Sequence, residues 1–133
     1  PDIIEAINNL ERETACNTGI TFIIAINYGG RDELTRGIRN LALSVEEGRT
    51  KASDISEDVI SGYLDTSDFP DPDLLIRTSG EQRLSNFLLW QLAYAEFSFT
   101  DTMWPDFDKN ELIRAIENYT SRDRRFGGIE KQR

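Results

Sequence analysis

Residues 20–26 form a continuous apolar run: Ile20, Phe22, Ile23, Ile24, Ala25 and Ile26, broken only by Thr21. A run so rich in β-branched residues, with no alternation of polar positions, suits a strand covered on both faces, as in a parallel sheet. It is far shorter than the ~20 residues of a membrane-crossing helix. The turn residues Asn27-Tyr28-Gly29-Gly30-Arg31 follow. From about Asp32, Leu34, Ile38, Leu41 and Val45 recur at helical spacing. Upstream, residues 1–17 read as another helix: Pro1 suits a first helical position, Ile3, Ile4, Ile7 and Leu10 share a face, and Gly19 is a stop.

The rest of the chain keeps this rhythm. Residues 46–56 read as a loop, 56–63 as a short helix and 66–72 as a Pro/Asp loop. Leu74, Leu75 and Ile76 make a short buried strand ending at Arg77, and residues 78–83 a polar loop. Ser85 or Asn86 is placed to cap an apolar helix over 87–94. Phe97 and Phe99 alternate with Ser98 and Thr100 as a third strand. After the turn Trp104-Pro105-Asp106-Phe107, Asp108 caps a last helix, with Glu111 at the capping-box position and Leu112, Ile113, Ile116 and Tyr119 along it. Alternating strands and helices predict an α/β fold with a mostly parallel sheet and helices on both faces. Phe87, Trp90, Phe97, Phe99 and Trp104 are most simply core.

Composition narrows the chemistry. Among the 133 residues, 38% are hydrophobic and 29% charged, which favours a globular chain over a disordered one. The net charge of −9 argues against nucleic-acid binding but not against a small anion, because nearby arginines set the local field. The chain has no histidine, so a Ser-His-Asp triad, a Cys-His pair or a His-ligated zinc cannot be built from it; oxygen ligands would favour magnesium or calcium. The single Cys16 cannot form an intramolecular disulfide and reads as structural. With no apparent signal peptide or membrane span, a cytoplasmic protein is the default expectation. The chain opens on Pro1, as a piece of a longer protein would.

In parallel sheets, ligands bind beyond the carboxyl ends of the strands. Two segments belong there. Paired glycines in Asn27-Tyr28-Gly29-Gly30-Arg31 permit close backbone approach to a ligand, though a plain strand-to-helix turn explains them as well. The segment Arg77-Thr78-Ser79-Gly80-Glu81-Gln82-Arg83-Leu84-Ser85-Asn86 offers two guanidiniums, three hydroxyls and a glycine, all suited to phosphate oxygens. The competing reading pairs Arg77 and Arg83 with Glu81 or another carboxylate, because a charge directly after an apolar strand needs a partner. Glu96 lies between apolar and aromatic stretches, and its residues alone fit a salt bridge or rim position better than a metal ligand.

These blocks resemble the signatures of the cis-prenyltransferases, the undecaprenyl diphosphate synthase family. The stretch from Asp73 to Glu81, together with Arg83 to Gln91, carries the likeness most specifically. Tyr94-Ala95-Glu96, Phe99, Trp104-Pro105-Asp106-Phe107 and Arg124-Arg125-Phe126-Gly127-Gly128 extend it nearly end to end. The resemblance implies the family's fold and its reaction. Isopentenyl diphosphate is joined to an allylic diphosphate such as farnesyl diphosphate, with magnesium required, to make the carrier lipid of cell-wall synthesis. By the same resemblance, Arg77, Arg83 and Ser85 grip the diphosphate of isopentenyl diphosphate, Glu81 and Asn27 support the site, and Glu96 helps hold magnesium. Arg125 and Gly127 match an element that reaches toward the partner subunit in a homodimer. Peripheral membrane association through the lipid product would also be in keeping.

One departure matters. The family opens with an Asp-Gly-Asn-Gly-Arg-Trp motif that binds the allylic diphosphate and magnesium, and this chain has no match to it. Residues 1–133 are therefore expected to be the C-terminal part of one catalytic domain, inactive alone. A non-catalytic partner subunit of a prenyltransferase dimer is the alternative, but such subunits tend to lose the central arginine block. A generic phosphate-binding module lacks its expected glycine loop here.

Overall fold

The structure, a computed structural model, describes residues 2–122. In order, its elements are α1 (Asp2–Thr14), α2 (Gly30–Glu46), α3 (Glu57–Ser61), β1 (Leu74–Arg77), β2 (Glu96–Phe99) and α4 (Lys109–Thr120). Short 3-10 turns occupy Ala52–Asp54 and Trp104–Asp106. β1 and β2 pair in parallel, with Leu74 opposite Glu96 and Arg77 opposite Phe99. α4 packs against β2, and α2 against α3. This is the expected α/β arrangement, a parallel sheet flanked by helices.

Local chemistry explains the helix boundaries. The Asp108 carboxylate accepts from the backbone N–H of Asn110 (2.8 Å) and Glu111 (3.0 Å), capping α4. Those donors hold the Asp108 carboxyl below its ordinary range. Glu111 does not complete the expected capping box; its carboxylate is engaged by Arg114 and by Thr100 Oγ1. Ser56 caps α3 by accepting from Val59 N–H at 3.3 Å. In α2, Gly37 is needed by packing, since a Cβ there would stand 3.0 Å from Tyr63 O and 3.2 Å from Leu64 Cδ2. Among the described residues, the buried apolar side chains are Leu41, Leu64, Leu92 and Ala115.

Several local expectations are corrected. Residues 20–25 carry no regular secondary structure and Ile26 opens a bend, so the expected strand does not form. A strand is stabilised by a hydrogen-bonded neighbour, and no ladder bond to this run is present among the described residues. Its side chains stand in solvent, with Ile20 96% and Phe22 82% exposed. α1 forms as expected, yet its apolar face is left bare: Ile3, Ile4, Ile7 and Leu10 are all exposed. Residues 87–94 are a succession of turns rather than a helix. Ser85, Asn86 and Leu88 take positive φ (49°, 65° and 43°), which interrupts any regular helical ladder. The aromatic core is also thinner than expected. Trp90 and Phe97 are half-buried, whereas Phe87, Phe99 and Trp104 are exposed. Cys16 is exposed as well, so it has no structural role in the core. No helix among the described residues is long and apolar enough to cross a membrane.

Candidate functional site

The two segments singled out by sequence meet in the structure, and Asn86 is the joint. Its backbone carbonyl accepts from Gly30 N–H (2.7 Å), and its Oδ1 accepts from Arg31 N–H (2.9 Å). Gly29, the N-cap of α2, has no side chain to offer, so Asn86 caps α2 from a distance of more than fifty residues along the chain. This revises the role of the paired glycines. A Cβ on Gly29 would lie 2.9 Å from Asn86 Nδ2, and one on Gly30 would lie 2.9 Å from Leu89 Cγ and 3.2 Å from Asn86 O. The glycines admit the 86–89 turn, as the strand-to-helix-turn reading allows, and two of the first N–H groups of α2 are already satisfied. Tyr28 and Phe87 reinforce the junction edge to face, their ring centroids 5.7 Å apart.

Backbone strain concentrates in the same place. Among the described residues, the non-glycine positions with positive φ are Asn27, Ser79, Ser85, Asn86 and Leu88; all but Leu88 fall in the two candidate loops, and Leu88 lies two residues beyond the second. Such conformations persist only where surrounding structure over-determines them, and they cluster at ligand sites. Beyond the carboxyl end of β1, Ser79 N–H donates to Thr102 O and Gly80 N–H to Thr100 O, both at 2.9 Å. The loop after β1 is thereby fastened to the loop after β2.

The charged groups divide into three cases. Arg77 is half-buried at the end of β1, and among the described residues no carboxylate pairs with it. Arg83 instead forms an ion pair with Glu81, as the competing reading anticipated. Glu96, the candidate magnesium ligand, pairs with Arg122, whose Nη1 lies 2.8 Å from Glu96 Oε2 and also donates to Phe97 O. The register places Glu96 at the start of β2 and Arg77 at the end of β1. Three residues of strand, about 10 Å, separate the two ends. Asn27 and Ser85 lie in the joined loops, both exposed. Arg125 and Gly127 lie outside the described residues.

Sequence reasoning missed a buried polar cluster behind these loops. Glu33, 1% exposed on the first turn of α2, accepts from Tyr28 OH (2.5 Å), Asp65 N–H (3.0 Å) and Gln91 Nε2. Burial, the hydrogen bond to Glu33 and the Glu33 charge all push the Tyr28 phenol well above its ordinary value. The buried side of α2 is Gly30, Glu33, Gly37, Leu41 and Ser44, whereas Ile38 of the expected apolar face is 61% exposed, so the apolar periodicity gave no signal for Glu33. Arg36 bridges Asp32 and, bidentately, Asp65 (2.9 and 2.6 Å), which holds the Asp65 carboxyl low.

Comparison with known proteins agrees with this architecture. The prenyltransferase family model described as undecaprenyl diphosphate synthase matches residues 1–127. An isoprenyl transferase of Agrobacterium fabrum is 55% identical over 131 residues, which are 98% of this chain and 53% of that protein. An isoprenyl transferase of Porphyromonas gingivalis is 52% identical over 98% of this chain and 52% of its own length. The crystal structure of lavandulyl diphosphate synthase from Lavandula x intermedia, in complex with dimethylallyl diphosphate, superposes with a TM-score of 0.90 at 44% identity, covering 96% of this chain and 55% of that one. A probable undecaprenyl diphosphate synthase from Campylobacter jejuni gives 0.78 at 35% identity, over 95% of this chain and 56% of that one. The chain thus spans about half the length of the curated relatives it matches. By the extent of that family match and by its fold, the chain belongs to the undecaprenyl diphosphate synthase family of prenyltransferases.

Proposed function

We propose that this chain carries the isopentenyl-diphosphate half of a cis-prenyltransferase, as the C-terminal part of its catalytic domain. The observation that supports this most strongly is Arg77. A half-buried guanidinium directly after an apolar strand is costly without an anion, and none of the described carboxylates serves it. A diphosphate accepts the guanidinium fork bidentately. Ser85 adds a hydroxyl donor from the adjoining loop. Arg83, whose own side chain is exposed, joins by exchanging Glu81 for a phosphate oxygen, one charge-assisted contact for another. Asn27 and Glu81 support the rim.

In the reaction, the isopentenyl double bond attacks the allylic carbon as its C–O bond to diphosphate breaks, and a proton then leaves the new chain. The residues of this chain hold the attacking substrate in line, which supplies the proximity contribution. The second substrate is an allylic diphosphate such as farnesyl diphosphate, and the product would serve as a cell-wall carrier lipid. A homodimer follows the family pattern, with Arg125 and Gly127 directed to the partner's site. Magnesium would supply charge neutralisation of the leaving diphosphate when bound. The described residues do not form a magnesium site by themselves: no group of three potential ligands gathers, and Glu96 would have to give up Arg122 to offer its single carboxylate.

Isothermal titration of the chain with isopentenyl diphosphate tests the reading. Arg77→Ala is expected to weaken binding by about 10–100-fold, the equivalent of one charge-assisted contact. Arg83→Ala should act in the same direction. Unchanged affinity in both variants would contradict the assignment.

A further inference from the structure

Gln91 is 2% exposed and reaches the Glu33 carboxylate with its amide nitrogen, 3.1 Å from Oε1 and 3.2 Å from Oε2. The same nitrogen donates to Thr66 Oγ1 at 2.9 Å. One amide hydrogen is therefore shared across the carboxylate and the other goes to Thr66. The carboxylate fixes this orientation, because the amide oxygen could not face it as a donor. As a consequence Gln91 Oε1 is buried with no hydrogen-bond partner among the described residues. An unmade bond on a buried acceptor costs about 1–3 kcal/mol, so its orientation is held by something stronger.

That something is Glu33, which links the first candidate loop to the turn run after the second. Glu33 receives Tyr28, the neighbour of strained Asn27, from the first loop. It receives Gln91 from the turn run that begins with strained Ser85 and Asn86. It also receives the backbone of Asp65. The two loops are thus clamped twice, by Asn86 at the rim and by one buried carboxylate beneath.

We propose that Glu33 and Gln91 are positioning residues for diphosphate binding, setting the relative geometry of the Asn27–Arg31 loop and the Arg83–Asn86 loop. The inference rests on the isopentenyl-diphosphate reading above. It adds that the anion's affinity is controlled from a buried carboxylate–amide pair that the anion does not touch.

Glu33→Gln keeps the shape and removes the charge, so that two amides then face each other in the pocket. The exchange Glu33→Gln with Gln91→Glu restores one carboxylate and one amide with their roles reversed. Tyr28→Phe is the mild variant, deleting a single donor while leaving Glu33 and Gln91 in place. The probes are isopentenyl diphosphate and inorganic pyrophosphate, followed by calorimetry, with backbone amide spectra recorded before each titration. Glu33→Gln is expected to bind both probes about tenfold more weakly, with ligand-free amide shifts at Asn27 and Arg31 and also at Ser85 and Asn86. The exchange variant is expected to recover most of that affinity, and Tyr28→Phe to lose about two- to threefold. A merely structural role would lower the melting temperature of all three variants without moving the affinity of the folded protein, and that outcome overturns the proposal. It is equally overturned if Glu33→Gln shifts amides of α2 alone, or if Glu33→Gln fails to fold while Tyr28→Phe binds as the wild type does. If the wild type binds neither probe, or Arg77→Ala binds as the wild type does, the diphosphate reading fails. The loop coupling is then judged on the ligand-free amide shifts alone.

Discussion

At the scale of single residues, Asn86 shows how a motif can be placed correctly and its role misassigned. Its type and position suggested a cap for a helix starting at residue 87, and capping is indeed what it does, but the capped helix is α2. Local pattern identifies a capping residue; only the tertiary contact decides which helix receives it. Asn86→Ala removes the side-chain bond to Arg31 N–H and favours φ < 0 where the backbone now sits at 65°. The expected cost is about 1–2 kcal/mol of stability, read as a lower denaturant midpoint with unchanged slope. Arg83 and Glu96 were more legible. For Glu96 the residues alone favoured a salt bridge, and for Arg83 an ion pair with Glu81 was the competing reading to phosphate binding; the structure supplies Arg122 and Glu81. Glu33 was not legible, because the apolar periodicity of Leu34, Ile38, Leu41 and Val45 marks a face beside the one that is buried.

At the scale of elements, the two paired strands and four helices follow their sequence signals closely. β1 and β2 read correctly because each short apolar run finds the other, whereas residues 20–26 carry the stronger strand signal and pair with nothing described. Strand propensity is a statement about fitting a sheet, so it fails when no neighbour is at hand. The turn run 87–94 fails for the opposite reason: contacts with Gly29, Gly30 and Arg31 override a helical pattern. The helix ends also make a pH prediction. Asp108 at the N-cap of α4 and Asp65 beside Arg36 both have carboxyls held below their ordinary value of 3.8. A depressed carboxylate stabilises the fold fully above its unfolded value, and that contribution fades as pH falls through the folded value. Melting temperature is therefore expected to hold from neutral pH down to about pH 5 and to drop below about pH 4. In Asp108→Asn the acid drop should be shallower, because one of the groups responsible is gone. An equally steep drop in that variant would remove Asp108 from the explanation.

For the whole molecule, the bare apolar side of α1 and residues 20–26 goes together with a chain that spans about half of its relatives. The sequence has no match to the Asp-Gly-Asn-Gly-Arg-Trp motif that the family resemblance assigns to the allylic diphosphate. The 133-residue chain is expected to give no elongated product from farnesyl diphosphate, isopentenyl diphosphate and magnesium. Chromatography of the lipid extract checks this, and any product longer than the allylic substrate would disprove it. The overall charge of −9 should not prevent diphosphate binding, because the arginines act at short range while distant charges are screened within about 10 Å at ordinary salt.

Backbone amide spectra of the chain titrated with isopentenyl diphosphate test the central claim most directly. The account predicts saturable shifts confined to the Arg77–Asn86 and Asn27–Arg31 segments, abolished by Arg77→Ala. Shifts confined to α1 and residues 20–26, or no saturable shift in a chain whose spectrum shows it folded, would contradict it.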